Sequence, residues 1–147
     1  MDELSKVTIY TDGACKPNPG PGGWAALLCY EKHKKELSGY ASQSTNNRME
    51  LTAAIQALKA LKRSCQVDFY TDSEYLKRGI TEWMPAWRRR NWRRKGGALA
   101  NADLWQALDA AMGPHKIQWH WVRGHAGDRN NERVDHLAKQ AMRKASR

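Results

Sequence analysis

Two stretches of this chain are built alike, and together they restrict its fold more than anything else in it. Val7-Thr8-Ile9-Tyr10-Thr11-Asp12-Gly13 and Val67-Asp68-Phe69-Tyr70-Thr71-Asp72-Ser73 both run from β-branched and aromatic residues into Thr-Asp and a small residue. Lys6 to Thr11 and Gln66 to Thr71 therefore read as strands, the first ending in an Asp12-Gly13 turn. Between them, Leu51, Ala54, Ile55, Leu58 and Leu61 recur at helical spacing, with Thr45 placed as an N-cap. If the two strands are parallel neighbours, Asp12 and Asp72 come side by side at the carboxyl end of the sheet. That is where open α/β sheets collect ligands.

The remaining elements complete a mixed sheet. Lys16 to Gly23 is rich in Pro and Gly and reads as a loop. Trp24 to Tyr30 is a strand apolar on both faces. Glu31 to Lys35 is a polar turn and Glu36 to Ala41 a weaker strand, so the first three strands should pair as antiparallel neighbours. After the fourth strand, helical segments are expected through Gly79 and again from Trp83 to Trp92, with a break at Gly96-Gly97. Asp103 to Met112 is a further helix, stopped by Gly113-Pro114. Ile117 to Val122 is a strand, Arg123 to Arg129 a loop, and the last helix buries Val134, Leu137, Ala138 and Ala141. The fold class is α/β, with helices on the faces of a mixed sheet in one domain spanning residues 1–147.

Four acids lie beside the apolar runs. Glu50 immediately precedes the stripe that begins at Leu51, and Asp135 follows Val134, about 100° round the helix from it. Singly, each of Asp12, Glu50, Asp72 and Asp135 reads as a turn or cap residue. Brought together, four carboxylates would repel unless cations held them. Oxygen ligands of this kind suit Mg²⁺, and four can hold two ions that activate water and steady a leaving oxygen.

The surroundings point to a polyanionic partner. Lys and Arg outnumber Asp and Glu by 25 to 15, giving a net charge of +10. Six of those basic residues fall within positions 88–95 of the segment WMPAWRRRNWRRK. Trp83 and Trp87, one helical turn apart, share a face. Arg for phosphates and Trp for sugar or base faces is a combination suited to nucleic acid.

Other chemistries lack their residues. The three cysteines form no CxxC pair and suggest reduced thiols, and the five histidines have no HxxxH spacing. No GxSxG or Walker A motif is present, and Cys15 has no evident partner base. MDELSKV has no apolar h-region, so no signal peptide is expected, and no apolar run is long enough to span a membrane. The expected setting is cytoplasmic.

Six blocks then occur in a telling order: YTDGACKPNPGPGGWA, TNNRMEL, YTDSEYL, WMPAWRRRNW, NADLW and WVRGHAGDRNNERVD. Over nearly its whole length the chain resembles the type 1 ribonucleases H, in their bacterial ribonuclease HI form. The resemblance implies an RNase H-like fold, a five-stranded mixed sheet flanked by helices, acting as a monomer. It implies endonucleolytic cleavage of the RNA strand of RNA/DNA hybrids, leaving 5′-phosphate and 3′-hydroxyl ends. Asp12, Glu50, Asp72 and Asp135 would bind two Mg²⁺ ions with substrate, with Mn²⁺ as a substitute. His125 would assist proton transfer and product release. Cys15, Asn18, Asn46 and Asn47 match the minor-groove contacts, and Tyr75, Trp83 and Trp87 the channel for deoxyribose. Thr45 and Asn101 match a pocket for one DNA phosphate, and the Arg-rich segment matches the basic protrusion.

The chain departs from the family pattern at two positions. Glu74 stands where many members have an uncharged residue. Gln43 replaces an Arg that often supports the phosphate pocket. No separate N-terminal hybrid-binding domain is seen, so affinity is expected from this one domain. Two alternatives share the fold: a non-catalytic hybrid-binding module, and another nuclease of the superfamily such as a junction resolvase or integrase.

Overall fold

The computed structural model describes residues 4–93, 99–123 and 128–146. Three antiparallel strands come first: β1 (Ser5–Cys15), β2 (Gly20–Tyr30) and β3 (His33–Ser44). Helix α1 (Asn46–Lys59) leads to β4 (Cys65–Thr71), then α2 (Glu74–Arg78) and α3 (Met84–Arg89), then α4 (Ala102–Met112), β5 (Lys116–Trp121) and α5 (Arg129–Ala145). The sheet order is β3-β2-β1-β4-β5, with β1, β4 and β5 parallel.

The first three strands pair as antiparallel neighbours, as expected, and β1 and β4 meet the condition of being parallel neighbours. Thr45 caps α1, its Oγ1 accepting a hydrogen bond from the Arg48 amide at 3.1 Å. Strand β2 is buried on both faces: Ala26 and Leu28 join the core under α1, whereas Ala25 and Leu27 pack on Val134 and Ala138 of α5. The larger core lies on the α1 side and contains Ile9, Leu51, Leu58, Val67, Phe69 and Trp105.

Four local expectations are corrected. The Asp12-Gly13 turn does not exist: β1 continues to Cys15, with Asp12 opposite Ala25 and Gly13 opposite Trp24. The Gly-rich segment is not loop to its end, because β2 starts at Gly20 and pairs Gly22 and Gly23 with Cys15 and Ala14. Here glycine provides clearance. A side chain at Gly23 would collide with the Ala138 carbonyl and the Met142 amide of α5. Gly79 caps α2, but the helical path does not stop there as expected. A π turn over Gly79–Trp83 joins α2 to α3, with the Met84 amide bonding back to the Gly79 carbonyl. Finally, α3 stops at Arg89 rather than Trp92, because Asn91 and Trp92 both adopt positive φ. The expected break at Gly96-Gly97 lies outside the described residues. Leu61 lies past the end of α1, half-buried.

Candidate active site

The parallel register of β1 and β4 creates the site. Tyr10 pairs with Tyr70, so Asp12 and Asp72 fall at equivalent positions two residues further along. Beyond that pair β1 continues along β2, whereas β4 ends at Thr71. The two strands part company there, and a cleft opens at the carboxyl edge. Ser73 turns the chain into α2: its amide donates to Thr71 Oγ1 at 3.2 Å and its Oγ accepts from the Leu76 amide at 3.0 Å.

Helix α1 brings Glu50 to the same place by close backbone contact. A Cβ built at Gly13 would lie 2.6 Å from the Glu50 amide nitrogen and 2.7 Å from the Met49 carbonyl carbon. Only glycine admits the helix this near the strand. Gly13→Ala is therefore expected to push α1 outward, costing about 1–3 kcal/mol of stability and lowering activity as Glu50 shifts. Urea melts and a cleavage assay check it; wild-type stability and activity in this variant would contradict the close approach.

The cleft has a volume of about 770 Å³, and its walls include Asp12, Glu50, Asp72 and Asp135, the last from α5. Asp12 is only 7% exposed and its Oδ1 accepts from the Gly13 amide at 2.9 Å. Burial first, and then the charges of Asp72, Glu50 and Asp135, lift its carboxyl from 3.8 to about 8. Burial likewise lifts Glu50 to about 7, with Asp72 adding to the rise. Hydrogen bonds from Ser73 and Asn46 work against it, the Asn46 Nδ2 donating to Glu50 Oε1 at 3.2 Å. Asp135 Oδ2 lies 3.0 Å from Lys139 Nζ.

These carboxylates make a donor set of hard oxygens whose mutual repulsion a cation would relieve. Among the described residues, no three His, Cys, Asp or Glu side chains already surround one point as a ready-made cage. A hard divalent cation need not take all its ligands from the protein, since water and substrate phosphate oxygens can complete its shell.

The expected substrate residues fall into three groups. Cys15, Asn46 and Asn47 line the cleft. Cys15 Sγ has the carbonyls of Pro17, Gly20 and Ser44 within reach as acceptors for its one S–H, and Asn18 Oδ1 accepts from the Asn46 backbone amide at 3.2 Å. Tyr75, Trp83 and Trp87 line a second hollow of about 390 Å³, and Tyr75 belongs to both walls, so the two adjoin. The ring centroids of Trp83 and Trp87 are 5.8 Å apart, as their shared face requires. Asn101, at positive φ before α4, donates from Nδ2 to Tyr75 Oη at 3.0 Å, and its Oδ1 accepts from Arg48 at 3.1 Å. Thr45 caps the helix that carries Arg48. His125 lies outside the described residues, as does part of the Arg-rich segment, whose Arg88, Arg89, Arg90 and Arg93 are exposed. Arg88 is not without an acid, as the local sequence suggests: its Nε donates to Asp109 of α4 at 3.0 Å.

Several residues escape a reading of the sequence. Lys16, Lys139 and Arg143 line the cleft beside the four acids, joining Glu74, which the sequence already marks as a departure from the family pattern. Arg48 also makes two bonds to Asp103 besides its bond to Asn101. The signal for Lys139 and Arg143 is their four- and eight-residue distance from Asp135, which puts them on its helix face. Arg48 offers none, since its partners are more than fifty positions away.

Similarity to known proteins agrees with this geometry. The RNase H family model matches residues 4–143. The chain is 57% identical to the ribonuclease H of Bradyrhizobium sp. (strain ORS 278), covering 97% of this chain and 93% of the relative. It is also 57% identical to the ribonuclease HI of Pseudomonas aeruginosa PAO1, over 97% of each. Among solved structures, LC9-RNase H1, a type 1 RNase H with the type 2 active-site motif, superposes with a TM-score of 0.90 at 35% identity, over 99% of this chain and 75% of the other. LC11-RNase H1, solved in complex with an RNA/DNA hybrid, shares the fold at a TM-score of 0.74 and 23% identity, over 96% and 99%. With its sheet order, its four-carboxylate cleft and a family match over nearly every residue, the chain belongs to the RNase H family.

Proposed function

We propose that this RNase H family enzyme hydrolyses the RNA strand of RNA/DNA hybrids at the four-carboxylate cleft, using two Mg²⁺ ions and leaving 5′-phosphate and 3′-hydroxyl ends. The observation that carries the reading is one continuous surface. Asp12, Glu50, Asp72 and Asp135 line a cleft whose wall, at Tyr75, adjoins the hollow formed with Trp83 and Trp87.

Asp12, Glu50, Asp72 and Asp135 hold the ions, and Mn²⁺ can stand in for Mg²⁺. When bound, the ions supply an activated water and charge for the departing oxygen. The chain supplies position. Cys15, Asn18, Asn46 and Asn47 present polar groups along the minor groove, where one strand offers 2′-hydroxyls and the other does not. Tyr75, Trp83 and Trp87 give deoxyribose an apolar seat. Thr45 and Asn101 hold a DNA phosphate, with Arg48 adding charge where Gln43 carries none. His125 moves protons and helps product leave. The exposed Arg88, Arg89, Arg90 and Arg93 attract the hybrid through its phosphates. The enzyme works as a monomeric single domain in the cytoplasm. No helix among the described residues is long and apolar enough to cross a membrane.

Strand-labelled substrates test this. A hybrid labelled on either strand should give RNA fragments with 5′-phosphates and intact DNA. Duplex RNA and branched DNA should survive. Binding without fragments, or cutting of branched DNA in preference to hybrid, would overturn the reading.

A further inference from the structure

Helix α5 contributes more to the cleft than its one acid. Lys139 and Arg143 follow Asp135 at four and eight residues, and both line the same cleft. The Lys139 ammonium stands 3.0 Å from Asp135 Oδ2, and the two side chains are 52% and 25% exposed. The anion is thus turned inward and the cation sits on the rim, on a flexible four-carbon stem. An ordinary surface pair at this spacing does no more than support its helix slightly. This pair differs on both sides. Its acid belongs to the carboxylate set, and its base faces the space where a polyanion must lie.

Resting on the metal-binding reading above, we infer that Lys139 is an exchangeable counter-cation: it neutralises Asp135 in the ion-free protein and turns to a backbone phosphate of the hybrid once a divalent ion takes that carboxylate. Arg143, one turn further along, extends the same phosphate track. Lys16, from the segment that follows β1, lines the same cleft. The single charge of Lys139 then has two opposed effects. It competes with the divalent ion for Asp135, and it attracts the substrate. Removing it should tighten metal binding and loosen hybrid binding, a pair of signs that neither a helix-supporting ion pair nor a plain phosphate contact produces.

Lys139→Met, Lys139→Arg and Arg143→Gln in the full chain test the exchange, with thermal melts to confirm folding. Calorimetric titration of the substrate-free protein with Mn²⁺ should show Lys139→Met binding about two- to fivefold tighter than wild type, the range an exposed ion pair accounts for. Arg143→Gln should bind the ion as wild type does. In cleavage assays, the loss in both variants should fall on KM more than on kcat. The slope of log(kcat/KM) against log salt should become shallower by about one unit, as for one lost phosphate contact. Lys139→Arg should restore the slope. Wild-type or weaker Mn²⁺ affinity in Lys139→Met, or an unchanged salt slope, would overturn the exchange. Asp12→Asn separates the two levels: if it leaves Mn²⁺ binding untouched, the metal-binding reading itself is wrong. If it weakens binding while Lys139→Met behaves as wild type, only the exchange is wrong.

Discussion

Replacing Asp12 by Asn is expected to stop RNA cleavage, by about a thousandfold or more, while making the ion-free protein more stable. The two effects share one cause. Asp12 is buried beside Asp72, Glu50 and Asp135, and its carboxyl is held near pH 8 rather than 3.8. An amide of the same shape keeps an oxygen for the Gly13 amide but carries no charge and makes a poor ligand for a hard cation. Because folding raises this pKa, the proton stabilises the folded state. Its contribution is complete below about pH 4 and is lost as pH rises through about 8. Glu50, raised to about 7, adds a loss over a lower window. Asp12→Asn removes the larger dependence. Its advantage over wild type should therefore be near zero at pH 4 and grow to about 1–3 kcal/mol by pH 9, in chelator. Urea melts at both ends of that range check the sign. Divalent ions should narrow the gap by stabilising wild type alone. Normal turnover in the Asp12→Asn protein, or lower stability at high pH, would contradict the assignment.

Trp105→Ala carries the largest expected loss of stability, about 3–5 kcal/mol. Trp105 is wholly buried on α4, with ring centroids 5.2 Å from Tyr75, 5.5 Å from Trp87 and 6.4 Å from Trp83. Its Nε1 donates to Tyr75 Oη at 3.1 Å, so it also anchors, from behind, the rings that line the aromatic hollow. A domain of this size has about 5–15 kcal/mol in total, so the alanine variant should stand near the edge of unfolding. Trp105→Phe separates packing from anchoring. It keeps most of the apolar volume but removes the indole N–H from Tyr75 Oη, to which the Asn101 amide still donates. We expect a smaller loss, about 1–2 kcal/mol, and a rise in KM for hybrid that exceeds any fall in kcat. Urea melts and steady-state kinetics on the two variants read this. A Trp105→Ala protein as stable as wild type would contradict the described core.

The strand-helix-strand unit that builds the site is legible in the sequence because two patterns agree in it. The β-branched runs fix β1 and β4, and the stripe from Leu51 to Leu58 fixes α1. Their parallel pairing follows from that connection, and with it the approach of Asp12 to Asp72. The Gly22-Gly23 stretch misleads because glycine signals both turns and close contacts. Which of the two applies depends on α5, more than a hundred residues away. The π turn before Met84 leaves no local trace, and the Trp105 ring that packs against its Gly79 comes from more than twenty residues further along. Lys139 and Arg143 look like a solvated helix face, and exposed lysines and arginines usually are one. Their spacing from Asp135 puts them on its face, and the cleft places both in its wall.

The most direct test of the carboxylate cleft as a metal site is cleavage of a hybrid labelled on its RNA strand, followed in chelator and then as Mg²⁺ is restored. The expected result is no fragments in chelator, RNA fragments that appear with added Mg²⁺, and none at any Mg²⁺ concentration for Asp12→Asn. Undiminished cleavage in chelator would contradict it.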